Sequence, residues 1–137
     1  KKKKRKQYLR SGLMRNVGLR TRKETNSIFI DHTNTPSNLD ITKHQVEMQH
    51  RKEGVLGYKY HYFITLDGKV EKGRADDAIG FGLGLHNDEA IGIQLAGSTN
   101  FTYHQISSLK NLIKTLQQKY GKLIIETSSK DIEQELK

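Results

Sequence analysis

Residues 57–74 read Gly57-Tyr58-Lys59-Tyr60-His61-Tyr62-Phe63-Ile64-Thr65-Leu66-Asp67-Gly68-Lys69-Val70-Glu71-Lys72-Gly73-Arg74, and this stretch decides the fold. Tyr58 to Leu66 is rich in aromatic and β-branched residues, which suit a pleated, half-buried surface. Asp67-Gly68 is a hairpin signal, because glycine reaches the positive φ that such turns need. Lys69 to Arg74 is therefore predicted to return as an antiparallel partner. A two-stranded hairpin is marginal by itself, so flanking segments must cover it.

Upstream, Ile28-Phe29-Ile30 forms a short β-rich run, and Thr33 to Asn38 is polar and holds the only proline, Pro36. A helix is predicted from Leu39 to Glu53. Thr42 and Gln45 stand at capping-box spacing, and Gly54 suits the helix stop. Downstream, Ala75 to Glu89 is glycine-rich and reads as loop. Its Gly80-Phe81-Gly82-Leu83-Gly84 does not lead from a strand into a helix, so it reads as a tight loop rather than a phosphate cradle. Ala90 to Ala96 alternates Ile91, Ile93 and Leu95 against smaller or polar residues, a strand with one buried face. Thr102 and Gln105 make a second capping box. Ile106, Leu109, Leu112, Ile113, Leu116 and Tyr120 then recur on one helical face, and Gly121 ends it. Leu123-Ile124-Ile125 is a last short strand, and the tail has the composition of a short helix. Strands interleave with helices, so the class is α/β, a small central mixed β-sheet flanked by helices.

The chain has 137 residues, suited to one domain, and no run of apolar residues long enough to span a bilayer. It lacks an initiator Met and a signal-peptide apolar region, which reads as a processed product or a piece of a longer polypeptide. With 0 cysteines, neither a disulfide nor a thiolate ligand is available. The net charge of +9 is unevenly placed: residues 1–23 hold 11 Lys/Arg and no Asp/Glu, against 13 basic and 15 acidic residues in 24–137. Residues 1–25 are read as a basic, extended arm and 26–137 as the folded domain. Lys1, Lys2, Lys3, Lys4, Arg5, Lys6 and Arg10 are the candidates for holding an anionic partner, nucleic acid or an acidic surface. Tyr8 is the arm's only aromatic residue, which offers little for base stacking. A solubilising tail is the plainer reading.

Several of these segments resemble the N-acetylmuramoyl-L-alanine amidases of the phage-lysozyme and peptidoglycan-recognition type. Ser27 to Thr33 is similar to that family's first strand. His50 to Gly54 resembles the end of its first helix. Tyr60-His61-Tyr62, Asp67-Gly68 and Gly73-Arg74 resemble its hairpin. Asn87 with Ala90-Ile91-Gly92-Ile93 and Gly97 resembles its asparagine–isoleucine–glycine segment, and Asn100-Phe101-Thr102 through Tyr120 its long helix. The resemblance covers about residues 27–126, and the C-terminal part is shortened relative to the family.

The resemblance implies a zinc ion held by a His on the first strand, a His after the last strand, and a Cys or Asp a little further on. Such a metal would activate water against an amide at an open coordination position. Here the first position falls on Asp31. His32 is its neighbour on the opposite strand face, so only a bulge would turn it inward. After Leu123-Ile124-Ile125 stand Glu126, Thr127, Ser128 and Ser129, with no His. Asp131 is a conceivable oxygen ligand, as is Asp31 itself. The family's groove His falls near Gly82, and His86 lies out of register.

Tyr60 matches the tyrosine that assists the zinc reaction, here a vestigial catalytic residue. Asp31, His32, Tyr60, Arg74 and Asn87 are the candidate substrate-binding residues, and no metal ligand is assigned. His61 reads as a structural residue among aromatics. His44 and His50 are six apart, not the spacing of a helical metal pair.

The function expected is an amidase-fold protein that has lost zinc-dependent hydrolysis. It would act as a structural or peptidoglycan-binding module, a phage virion component or cell-envelope protein anchored by its arm among other proteins. The expected cofactor is none. The alternatives are an active, endolysin-like amidase with an atypical zinc site, and a protein-binding regulator.

Overall fold

The computed structural model describes residues 20–137, with Leu85 and His86 by backbone alone. The anionic-partner candidates Lys1, Lys2, Lys3, Lys4, Arg5, Lys6 and Arg10 lie outside the described residues.

The order along the chain is β1 (Ser27–His32), α1 (Lys43–Lys52), β2 (Tyr62–Ile64), β3 (Val70–Lys72), a 3-10 turn (Gly84–Glu89), β4 (Ala90–Leu95), α2 (Tyr103–Tyr120), β5 (Ile124–Thr127) and α3 (Lys130–Glu135). The strands form a mixed sheet in the order β3-β2-β4-β1-β5, in which only the β2–β3 pair is antiparallel. Alternation sorts the side chains into two cores. On one face Ile28, Ile30, Ile91, Ile93 and Leu95 pack under Ile106, Leu109, Ile113 and Leu116 of α2 and Ile132 of α3. On the other, Phe29, Tyr58, Tyr60, Phe63, Leu83, Ala90 and Ala96 pack with Val46 of α1. The central strand β4 is thus buried on both faces, not the one its alternation suggested.

Both capping boxes form as read: Thr42 and Thr102 each accept from the third backbone N–H of their helices, and Gln45 and Gln105 return the bond. The first box sets the start of α1 at Lys43, four residues later than predicted, because Pro36 to Ile41 makes its own turns. Gly68 closes the hairpin at φ +88°, and a Cβ there would meet the His104 carbonyl oxygen at 2.7 Å. The hairpin tip therefore rests on the first turn of α2. The tail forms α3, with Ser129 as its N-cap.

The last residues of the segment read as an arm are in contact with the domain. Residues 20–25 belong to the body. Thr21 bridges Ala78, Ile79 N–H donates to the Arg20 carbonyl at 2.8 Å, and Arg22 is 7% exposed. Its guanidinium donates to the carbonyls of Asp76 (2.6 Å) and Ala78 (2.8 Å) and to the Thr25 hydroxyl (2.7 Å). A charge beside saturated acceptors can be buried where a solvated lysine cannot.

Candidate functional site

The site is built on the α1 face of the sheet. Tyr58 and Tyr60 precede β2 rather than extending it, as the sequence pattern had suggested. Their rings instead lie down over β4. This is possible because β4 offers only Ala90, Gly92, Gln94 and Ala96 on that face, and a Cβ on Gly92 would stand 3.0 Å from Tyr60 Cδ1 and 2.6 Å from Leu83 Cδ2. Lying flat, Tyr58 donates its hydroxyl to Gln94 Oε1 at 2.6 Å. Tyr60 reaches across β4 to β1 and donates to Asp31 Oδ2, also at 2.6 Å. The other oxygen, Oδ1, accepts the His32 backbone N–H at 2.8 Å. Burial, then the bond to and charge of Asp31, hold the Tyr60 phenol far above its ordinary range. Tyr60 is thus a fixed proton donor, not a base. Behind the pair, His50 of α1 stacks on Tyr58 (centroids 5.2 Å apart, planes at 25°) and accepts the Lys59 N–H at Nδ1. Burial lowers its pKa.

Asp31 and Tyr60 are the two expected residues that the structure brings together. The other three are held by contacts of their own. His32 points to the opposite face, as strand alternation requires, with its ring 6.3 Å from that of Phe101 and Nδ1 accepting from Asn34 N–H. No bulge turns it inward: it keeps register with Leu95 in the β1–β4 ladder. Arg74 is a fastener. Its buried guanidinium donates to the carbonyls of Tyr58 and Ile79, both at 2.7 Å, and so ties the tyrosine segment to the loop after β3. Asn87 likewise pins the glycine-rich loop, accepting from Leu83 N–H at 2.9 Å and donating to the Gly80 carbonyl at 3.3 Å.

His61 is fully buried, and its roles follow from its partners. Gly92 N–H can only donate, so Nδ1 accepts (3.0 Å) and Nε2 carries the proton that goes to the Ala78 carbonyl (2.7 Å). Arg22 Nη1, 3.3 Å from Nε2, then shares that carbonyl rather than bonding the ring. Burial drives the His61 pKa down to about 4. Arg22 and Gln94 are buried polar residues the sequence did not single out: within a run of cations, nothing local distinguishes the arginine that folds in.

The donor set does not fit a zinc ion. Among the described residues no three His, Cys, Asp or Glu side chains converge. At the end of β5 Thr127 accepts from Ser129 N–H, and beyond it Ser129 caps α3 and Asp131 is engaged by the Thr99 hydroxyl. Asp31 alone would supply oxygen where zinc favours nitrogen and sulfur as partners.

Residues 21–131 match the Amidase_2 family model, N-acetylmuramoyl-L-alanine amidase. The endolysin of Enterobacteria phage K11 is 32% identical over 120 residues, 82% of this chain and 80% of that protein. The endolysin of Escherichia phage T7 is 32% identical over 115 residues, 78% of this chain and 76% of that one. Among solved structures, the amidase LysC from Clostridium intestinale URNW superposes with a TM-score of 0.73 at 28% identity, covering 80% of this chain and 73% of its own. Bumblebee PGRP-SA shares the fold, with a TM-score of 0.72 at 15% identity over 83% of this chain and 81% of its own. By sequence and by fold, the chain belongs to the N-acetylmuramoyl-L-alanine amidase family.

Proposed function

We propose that this amidase-family chain binds the peptide part of peptidoglycan on the Asp31–Tyr60 face without hydrolysing it. One observation carries the reading: the Asp31 carboxylate, bonded to the Tyr60 hydroxyl at 2.6 Å, stands where the family resemblance implies the first metal-binding imidazole. Without a Lewis acid, Tyr60 has no developing oxyanion to stabilise. The test is metal analysis of the purified full chain, release of peptide from cell-wall sacculi, and calorimetric titration with a soluble muropeptide. Binding without stoichiometric zinc and without release is expected. About one zinc per chain together with peptide release overturns it.

A second reading, an active endolysin-like amidase, is favoured by the phage endolysins at 32% identity. It would need ligands from outside the described residues, and the same assay decides it. A phage-related, wall-acting role suits both readings, and no helix among the described residues is long and apolar enough to cross a membrane. Within this proposal the basic arm, Lys1 to Lys6 with Arg10, docks the module onto an anionic partner in a larger assembly. Its deletion should abolish retention on that assembly, and unchanged retention would leave only a solubilising tail.

A further inference from the structure

No cation among the described residues pairs with the site's carboxylate. Among the described residues, the cations of this face are engaged elsewhere: Lys43 and Arg51 pair with Glu47, and Lys59 with Glu53. Asp31 is half-buried, and both its hydrogen-bond donors, the Tyr60 hydroxyl and the His32 N–H, are neutral. A carboxylate accepts about four hydrogen bonds, and these two leave acceptor capacity on each oxygen. Its place is also that of a ligand site. β1, β2, β4 and β5 run parallel, and Asp31 lies at the carboxyl end of β1, where open α/β sheets receive their ligands. The Tyr60 ring, laid over Gly92, fixes the carboxylate so that little freedom is lost when a partner arrives.

A half-buried carboxylate with open acceptor positions is suited to a charged hydrogen-bond donor. We propose that Asp31, oriented by Tyr60, is the recognition point for a primary ammonium group on the bound peptide. This rests on the peptide-binding reading above and deepens it, because it makes a cationic amine the feature selected. An ammonium needs only acceptors and one negative charge, which this pair provides. A divalent metal would need several more ligands.

The experiment titrates the full chain with a soluble muropeptide whose stem carries a free lysine amine, and with the same compound acetylated at that amine. The acetylated form is expected to bind about tenfold more weakly, the effect of losing one charge-assisted hydrogen bond of about 1.4 kcal/mol. Asp31→Asn should weaken the free amine about tenfold and leave the acetylated form unchanged, with the fold checked by circular dichroism. Equal affinity of the native chain for both forms overturns the ammonium assignment while peptide binding stands. Failure to bind either form overturns the peptide-binding reading and this assignment with it. If Asp31→Asn does not fold, the acetylation comparison on the native chain decides alone.

Discussion

Replacing Arg22 by alanine tests whether the end of the basic segment is part of the fold. The side chain is 7% exposed and makes three well-placed bonds, at 2.6, 2.7 and 2.8 Å. Truncation would not orphan every partner. The Ala78 carbonyl keeps His61 Nε2 at 2.7 Å, whereas the Asp76 carbonyl and the Thr25 hydroxyl lose theirs. Bonds to a charged donor contribute about 1.5–3 kcal/mol each, and partial rehydration of the more open Asp76 carbonyl offsets some of that. The stem packing beside Tyr120 is lost as well. The net expectation is a destabilisation of about 3 kcal/mol, or roughly 12 °C in Tm for a domain of this size. Urea melts of the full chain measure it, with an unchanged slope showing that the unfolded state is the same. Arg22→Lys should recover less than half, because an ammonium cannot reach three divergent acceptors. A loss below about 1 kcal/mol, within the range of ordinary surface substitutions, would refute the claim that residues 20–25 belong to the body.

Acidification should weaken the fold through His61. Its folded pKa of about 4 lies below the ordinary 6.5, so only the unfolded chain takes up the proton between those values. The stabilisation is complete above pH 6.5 and disappears as pH falls through 4, with about 3 kcal/mol at stake. Urea midpoints at pH 7 and pH 4.5 should differ less in His61→Gln than in the native chain, and an equal difference would assign the pH dependence elsewhere. Gly92→Ala should cost about 2–3 kcal/mol, since its Cβ would stand 2.6 Å from Leu83 and 3.0 Å from Tyr60 in a packed layer. A near-neutral thermal melt would contradict that crowding. Tyr60→Phe deletes the hydroxyl bonded to Asp31 and should cost about 1–2 kcal/mol in the same melts. No change would mean that water replaces the phenol freely.

The sequence made the helices legible because their signals are local. Thr42 with Gln45 and Thr102 with Gln105 cap within one turn, and both caps formed. Asp67-Gly68 was readable for the same reason. Strand limits were less so. Tyr58 to Ile64 has strand composition throughout, yet only Tyr62–Ile64 pairs as β2. Tyr58 and Tyr60 lie before that strand, and their hydroxyls find partners on β4 and β1, 36 and 29 residues away in the chain. No window of sequence contains those partners. Opposite faces for Asp31 and His32 followed from strand period alone. The use of Arg74 and Asn87 did not, because the carbonyls they bind belong to loops whose course the sequence leaves open.

Those two residues bear on how family membership relates to activity. Arg74 holds Tyr58 and Ile79 together, Asn87 holds Leu83 to Gly80, and Gly92 makes room for Tyr60. Each lies in a motif that resembles the amidases, and each is explained by the shape of the groove without reference to a metal. Such residues show that the scaffold is built, and they would be needed equally by a hydrolase or a binding module. The distinction rests instead on the metal donors, a separate set of side chains from these fasteners. In this chain Asp31 stands at the end of β1 bonded to Tyr60, Thr127 at the end of β5 accepts the Ser129 N–H, and Ser129 caps the last helix. The fasteners of this face are thus independent of the side chains that would carry its chemistry, and beside Tyr60 the sheet presents the carboxylate of Asp31.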